Sequence, residues 1–394
     1  MQKNKSQKPI INNISKKPSL NIGDKIHFVI ERLNAQGIGI YNSDLGTVFI
    51  PQTLLGERGE AEIAESKKGI FVAKIILLDQ KSQDRLIPQE CPHYSEFCGG
   101  CQYLHTDYET ELFHKENSLK LLFIPWFNAN KLQNISIHRA PNRLQYRNRI
   151  QLHYDKNLIG HKSLFTKNIL ATPLCKIATE SLTQYKNKII EGWKRETCDL
   201  PSQGHVEFSE KIINNQKVFQ HTFNKEYSHD GFSQVNDSMN LVLQETIRKN
   251  LAGFKGRMLD FFCGNGNLTL NLPSDWETFG FDNTNPERVS PHLIFKKLDL
   301  YGNNADLKSL LPKNASSTPT SIIVDPPRSG WTKLNEVVAE FQPECLIYVS
   351  CYPSTLKRDL QELEKTHPWK KMHLTLIDMF PSTAHFETVC ALFF

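Results

Sequence analysis

No uninterrupted apolar run in the 394 residues approaches the roughly 18 that a membrane-spanning helix needs, which predicts a protein with no helical membrane span. The first twenty residues, MQKNKSQKPIINNISKKPSL, lack the apolar core and small-residue cleavage site of a secretory signal. They also contain no Arg, unlike an organelle transit peptide. These absences predict a cytoplasmic chain. The same stretch holds no acid but five lysines, Lys3, Lys5, Lys8, Lys16 and Lys17. Setting those five aside from the 47 Lys and Arg leaves 42 against 42 Asp and Glu, so the whole net charge of +5 resides in this leader. A disordered basic leader over residues 1–20 could neutralise phosphates and release counterions, or simply be a solvated tail. No internal repeat is visible. The cysteine count is nine, and an odd count without a signal argues against a disulfide framework, leaving metal binding and nucleophilic chemistry as the questions.

What is present is ordinary for a globular chain, with 39% hydrophobic and 23% charged residues, and the length predicts two or three domains. Over residues 21–80, short alternating runs (KIHFVIERL, GIGIY, GTVFIP, GEAEIAES, GIFVAKIILL) are punctuated by Gly, which predicts a small antiparallel β-barrel of the oligonucleotide-binding kind. The stretches GDKIHFVIERLNAQGIGI and VFIPQTLLGERGEAEI resemble a TRAM domain, an RNA-binding barrel. KSQDRLIPQ reads as a linker, and residues 89–228 as a central α/β region. From 229 to 394 the runs RMLDFF, TFGFD, LIFKKLD, SIIVD, LIYVS, LTLIDMF and ETVCALFF alternate with helical or loop segments, which predicts a doubly wound α/β sheet closed by an antiparallel pair.

Ligands of an open α/β sheet bind at the carboxyl ends of its strands, and four ends here carry chemistry-bearing residues. In LDFFCGNGN, Asp260 closes a strand and Gly264 and Gly266 permit a turn close to a ligand. In FGFD, Asp282 could accept hydrogen bonds from ribose hydroxyls, or could cap a helix. In SIIVDPPRSG, two prolines remove two backbone donors and hold Asp325 rigidly beside Arg328 and Ser329. In LIYVSCYPSTLKRDL, Cys351 is either a buried small hydrophobe or a nucleophile; Lys357 and Arg358 follow closely enough to favour a thiolate.

Taken in order, the TRAM-like segment, CPHYSEFCGGCQ, FSQVN, LDFFCGNGN, DPPRSG, VSCYPS and HFETV resemble the RNA uridine-5-methyltransferase family over nearly the whole chain after residue 20. The resemblance implies a class I, Rossmann-like methyltransferase domain behind a TRAM barrel and a central domain with an iron-sulfur cluster, of the type acting on 23S rRNA. It implies that Gln234, Phe262, Asn267, Asp282 and Asp299 contact S-adenosylmethionine and that Asp325 lies between cofactor and uracil. Cys351 would then be the nucleophile and Glu387 the base. The chemistry needs both. Uracil C5 is too weak a nucleophile until a thiolate adds at C6, and a base must then remove the C5 proton.

Cys91, Cys98 and Cys101 cluster around CGGC, and four thiolates suit zinc or an iron-sulfur cluster. The resemblance supplies Cys175 as the fourth ligand and a 4Fe-4S cluster as the occupant. Six residues separate Cys91 from Cys98, one more than usual in the family, and Lys176 stands where Pro is common. In PNRLQYRNRIQLHY, Arg143, Arg147 and Arg149 interleave with Tyr146 and Tyr154, as contact with an RNA backbone and its bases would require. Between Asp282 and Asp299 only 16 residues remain, broken by Pro286 and Pro291, so the usual crossover helix is expected to be lost or reduced to a turn. Three competing readings are a transfer-RNA substrate, a radical use of S-adenosylmethionine, and an RNA-binding protein with a degenerate methyltransferase domain. The first cysteine gap argues against the radical chemistry, and Cys351, Asp325 and Glu387 against degeneracy. RNA, with ribosomal favoured over transfer RNA, is the expected partner, with no membrane and no obligate protein partner.

Overall fold

The computed structural model describes residues 20–67, 69–88, 91–155, 158–166, 168–193, 200–225, 233–283, 293–302, 311 and 321–394. The leader lysines, and Pro286 and Pro291 with the expected loss of a helix around them, lie outside the described residues.

The described residues form two compact units, one of which takes in residues 20–32 and Ile38–Ser82. Its strands β1 (Lys25–Val29), β2 (Arg32–Leu33), β3 (Gly39–Ser43), β4 (Gly46–Ile50), β5 (Arg58–Lys67) and β6 (Ile70–Gln80) belong to a sheet of order β1-β5-β6-β4-β3-β2. The alternation read in the sequence is the burial pattern. On β5, Gly59, Ala61 and Ile63 are buried while Arg58 and Glu62 are exposed. Three register shifts between β5 and β6 tighten the local twist. The expected all-antiparallel arrangement is corrected at one pair, because β4 and β6 run parallel. Two reversals of direction, into β5 and out of it, separate them.

In the second unit, α1 (Pro92–Ser95) and α2 (Tyr108–Asn128) precede β7 (Ile135–His138). There follow β8 (Arg149–Tyr154), β9 (Ile159–Lys162), β10 (Ile169–Ala171), α3 (Glu180–Trp193), β11 (Gly204–Ile213) and β12 (Gln216–Phe223), whose strands make an antiparallel sheet of order β10-β9-β8-β11-β12. Ile150, Leu152, Val206 and Phe208 of that sheet pack on Leu182 of α3.

The rest of the chain is α4 (Asp237–Asn250), β13 (Arg257–Phe261), β14 (Glu277–Asp282), β15 (Leu293–Lys297), β16 (Ser321–Val324), α5 (Leu334–Phe341), β17 (Cys345–Ser350), α6 (Pro353–Thr366), β18 (Lys371–Ile377) and β19 (Glu387–Phe393). These strands and β7 form one sheet of order β15-β14-β13-β16-β17-β19-β18-β7. β7 crosses the expected boundary at 228, joining the edge beside β18. The central strands read as continuous apolar runs because both faces are covered. Leu259, Phe261, Ile322, Val324, Leu346 and Tyr348 pack with α2, α5 and α6. Met258, Ile323, Ile347 and Val349, one residue out of step, pack with Met239, Leu243 and Ile247 of α4. β13, β14, β15, β16 and β17 are parallel, and β19 runs antiparallel between β17 and β18, forming the closing pair that the sequence predicted.

Candidate functional site

After β13 the chain continues outward to β14 and β15; it then returns to β16, on β13's other side. A crevice opens at such a reversal of strand order, at the carboxyl ends of β13 and β16. Asp260 lies in β13, and Asp325 directly follows β16, with its backbone N–H donating to Phe261 O at 3.2 Å. The Pro326–Pro327 pair leads into a turn closed by Gly330 N to Pro327 O at 2.9 Å. Gly330 has φ +73, and a Cβ there would collide with the Asp359 carboxylate, so this turn admits only glycine. Asp359 also accepts from Trp331 N and from the Tyr348 hydroxyl, both at 2.7 Å, tying the Asp325–Gly330 turn to α6 and β17.

Cys351 sits between the last residue of β17 and Pro353, the first of α6, a position where proline's missing N–H costs nothing. Ser350 is paired with Thr388 in the antiparallel ladder, which brings Glu387, the first residue of β19, to the same end of the sheet. Cys351, Asp325, Glu387 and Arg328 act on one another electrostatically. Burial pushes the Cys351 thiol up to about 12; Glu387 and Asp325 raise it, while Arg328 lowers it by charge and by a hydrogen bond. Burial raises Asp325 to about 7. Glu387 is held well above the carboxylate range by burial and then by Asp325, with Arg328 opposing. Arg328 thus has the part expected of Lys357 and Arg358. This corrects the sequence reading: the Arg358 guanidinium is bound to Ser329 O and to Asp359, and Arg328 is the cation that most strongly lowers the thiol. The signal for Arg328 was its place in DPPRSG.

Of the residues expected to contact the cofactor, Phe262, Asp282 and Asp299 lie at or just after the carboxyl ends of β13, β14 and β15. The Asp282 carboxylate accepts from Gly264 N at 3.0 Å, shaping the glycine turn, in which Gly264 and Gly266 have φ +52 and +81. A Cβ on Gly264 would meet nothing within 4 Å, so this turn borders open space. Phe262, at φ +64, lies edge-on to Trp331 and tilted against Tyr301. Asp299 accepts from Tyr301 N at 3.0 Å, which sets that ring. Gln234 is buried, and its carbonyl accepts from Asn148. Asn267 lies in the glycine turn. Its amide is paired reciprocally with Asn240 and also accepts from Gln244, so it fastens the glycine turn to α4. Asp260 is fully buried and raised well above the carboxylate range by burial and then by Asp325, and its Oδ1 accepts no hydrogen bond from the described residues.

The four predicted ligand cysteines also come together. Cys91, Cys98, Cys101 and Cys175 line one small cavity of about 30 Å³, with His93 and His161 beside them. Gly99 permits the approach, because a Cβ there would lie 2.9 Å from Lys162 O. Among the described residues no three His, Cys, Asp or Glu side chains are gathered tightly enough to hold a single metal ion. Burial raises the Cys98 thiol to about 11 and Cys101 well above its ordinary value.

In the Arg–Tyr stretch Tyr146, Arg149 and Tyr154 are buried, a second correction, whereas Arg143 and Arg147 are half-buried. Arg143 donates to Tyr103 O, Thr106 O and Glu111; Arg147 donates to Arg149 O; and Arg149 is buried beside Glu207 and Ser233. Tyr146 and Tyr154 are buried, with the Tyr146 hydroxyl donating to Pro381 O. Only Arg149 and Tyr154 lie in β8; Arg143, Tyr146 and Arg147 precede it and are held by the bonds just named. A larger cavity of about 530 Å³, bordered by β7, β18 and α4, holds none of the predicted site residues. Among the described residues no helix is long and apolar enough to cross a membrane.

The strand order and crevice define the α/β fold of methyltransferases. In keeping with this, the chain aligns with the structure of a Pyrococcus abyssi tRNA (uracil-54, C5)-methyltransferase in complex with S-adenosyl-L-homocysteine, at a TM-score of 0.69 and 19% identity, covering 93% of this chain and 99% of that one. The model of the tRNA (uracil-5-)-methyltransferase family matches residues 312–393. A 23S rRNA (uracil(1939)-C(5))-methyltransferase of Aliivibrio fischeri is 30% identical over 91% of this chain and 94% of its own length. An uncharacterized RNA methyltransferase of Bdellovibrio bacteriovorus is 29% identical over 94% and 95%. This chain belongs to the RNA uridine-5-methyltransferase family.

Proposed function

We propose that this protein transfers the methyl group of S-adenosylmethionine to C5 of a uridine in large-subunit ribosomal RNA, through a covalent bond between Cys351 and C6. The observation that carries this reading is the meeting of Cys351, Asp325, Glu387 and Arg328 at the end of the sheet where the strand order reverses.

The crevice suits the cofactor. It has a glycine turn bordering open space, a carboxylate at the end of β14, and a buried Asp260 oxygen still lacking a donor. Asp282 would take the ribose hydroxyls, Phe262 and the Asp299 turn would flank the adenine, and Gln234 and Asp325 would border the methyl-bearing end, with Asn267 holding the turn from behind. Bound S-adenosylmethionine supplies an electrophilic methyl group. Arg328 favours the Cys351 thiolate, whose Sγ adds to C6 and moves the C5=C6 electron pair to an enolate. C5 would then take the methyl group as its bond to the cofactor sulfonium breaks, the electron pair staying on sulfur and leaving S-adenosylhomocysteine. Glu387, in its ionised form, accepts the C5 proton; the released pair restores C5=C6 and expels the thiolate. Burial makes Glu387 a stronger base than an exposed carboxylate, as that step needs. Asp325 stands between the two reactants and would hold the uracil edge.

The four cysteines are proposed to carry a 4Fe-4S cluster. They fit in kind and number. A single tetrahedral ion with bonds of about 2.3 Å needs sulfurs within about 4 Å of one another, whereas a multi-iron cluster accepts wider spacing. The β1–β6 unit is proposed to be a TRAM-type RNA-binding module, on its alternating strands and the resemblance of its sequence.

RNA bearing 5-fluorouridine tests the chemistry, since fluorine at C5 cannot leave as a proton. Wild type should be trapped in a denaturation-resistant complex and Cys351→Ala should give neither complex nor product. Methylation by Cys351→Ala would overturn the mechanism. Mapping 5-methyluridine in cells lacking the gene tests the substrate; loss from transfer RNA alone would reassign it.

A further inference from the structure

The β18–β19 connection, residues 378–386, delivers Glu387 to the site, and its anchors come from outside the methyltransferase sheet's own ladder. Its first half is held by α2 and by the Arg–Tyr stretch: Lys115 Nζ donates to Asp378 at 2.7 Å and to Phe380 O at 3.3 Å, Ser382 N donates to Glu111 at 2.7 Å, and Tyr146 donates to Pro381 O. Its second half is held by the cysteine loop. The backbone N–H groups of Gln102 and Tyr103 both donate to Ser382 O at 3.0 Å, and Gln102 Oε1 accepts from Ala384 N at 3.1 Å. The other end of the same amide, Gln102 Nε2, donates to Gly99 O at 3.2 Å. One side chain therefore spans from the CGGC turn to a residue three positions before Glu387, and it directly follows Cys101 in the chain.

Ser382 shows that these anchors impose a conformation the chain would not choose. It has φ +66, in the left-handed region, although it is not glycine, and it is fully buried. Such backbone persists only where its surroundings over-determine it. Glu387 is the first residue of β19, where the ladder with Ile377 ends, so its carboxylate depends on how the preceding residues enter the strand.

We propose that Gln102 is a positioning residue for the base, tying the cysteine loop to the β18–β19 connection and so fixing where Glu387 presents its carboxylate. The proposal rests on Glu387 being the base. Cys351 lies on β17's side of the site and is untouched by Gln102, so thiol addition and methyl transfer should survive its loss while proton removal slows.

The test compares Gln102→Met, Gln102→Glu and Glu387→Gln on ordinary uridine RNA, measuring turnover and the covalent complex that survives denaturation. Gln102→Met deletes both hydrogen bonds of the amide. It should lower kcat on the order of 10- to 100-fold, as misplacement of a catalytic group does, lower KM along with it so that kcat/KM, set by the steps before proton removal, changes by no more than about twofold, and accumulate the adduct that Glu387→Gln accumulates. Gln102→Glu keeps the acceptor for Ala384 N and should recover most of the turnover. Trapping by 5-fluorouridine RNA should proceed at the wild-type rate in both Gln102 variants, which a generally loosened protein would not manage. If Glu387→Gln accumulates adduct and Gln102→Met does not, the base assignment stands and the positioning role is refuted. If neither does, the base assignment fails and the proposal with it. Equal losses of trapping and turnover in Gln102→Met would also overturn it, leaving a structural residue.

Discussion

Lys115→Met should be the most damaging single substitution away from the crevice, and the reason can be worked from the buried charges. Lys115 is almost fully buried, and its ammonium group bridges Glu111 and Asp378, both fully buried, at 2.7 Å each. Arg143 adds a second cation to Glu111, and Tyr108 donates to the other Asp378 oxygen at 2.7 Å. Methionine removes one cation of two and leaves both carboxylates in the interior. Breaking a buried pair from one side costs about 3–5 kcal/mol. Domains of 150–250 residues lose roughly 2–4 °C per kcal/mol and larger ones less, so the thermal midpoint should fall by about 6–10 °C. The deficit should depend on pH. Glu111 is already raised by burial, with Lys115 the chief group lowering it, so in the variant its folded value rises further. A carboxyl raised on folding takes up protons in the native state, so the variant regains stability as pH falls toward 5. Lys115 behaves oppositely. Burial pulls its amine down, but Glu111 and Asp378 more than reverse this and hold it above its ordinary value. Its contribution is complete below the unfolded value of about 10.4 and is lost as pH rises through the folded one. Thermal unfolding of both proteins from pH 5 to 10.5 checks this. An unchanged midpoint at neutral pH, or a deficit that widens on acidification, would refute the reasoning.

Arg328→Gln removes the cation that lowers the Cys351 thiol, so the pH profile of thiol alkylation should move upward and methylation at neutral pH should fall; an unmoved alkylation profile would dismiss Arg328 as the activating group. Gly280→Ala places a Cβ 2.7 Å from Cys263 Sγ and 2.7 Å from a Leu293 methyl, so it should destabilise by about 1–3 kcal/mol and weaken S-adenosylmethionine binding by calorimetry through the adjoining Gly264–Asp282 turn. Protein purified without oxygen should contain iron and sulfide and lose both in Cys98→Ser, whereas stoichiometric zinc without iron would reject the cluster. Deleting residues 1–20 should make the salt dependence of RNA binding shallower if the five lysines touch phosphate, and an identical slope would make them a solvated tail.

The sequence by itself determined the strands and the residues at their ends. Runs such as SIIVD and LIYVS are apolar throughout because they are covered on both faces, and Asp325 and Cys351 had to follow them because a buried strand must end before a polar side chain can meet a ligand. It also placed Cys91, Cys98 and Cys101 close together, since short spacing alone ensures it. Tertiary structure alone decided which side chains face one another. Lys357 and Arg358 are nearer Cys351 in sequence than Arg328 is, yet Arg358 bonds Ser329 O and Asp359, and Arg328 reaches the thiol from the turn after β16. The bonding of Arg143, Arg147 and Arg149 was equally hidden. Arg143 and Arg147 precede β8, and no local pattern says which carbonyls and carboxylates the three arginines will meet; for Arg143 and Arg149 those belong to Tyr103, Thr106, Glu111 and Glu207. The Lys115 and Gln102 contacts join residues more than 260 positions apart, a separation across which local propensity and spacing carry no information and only packing sets the partner.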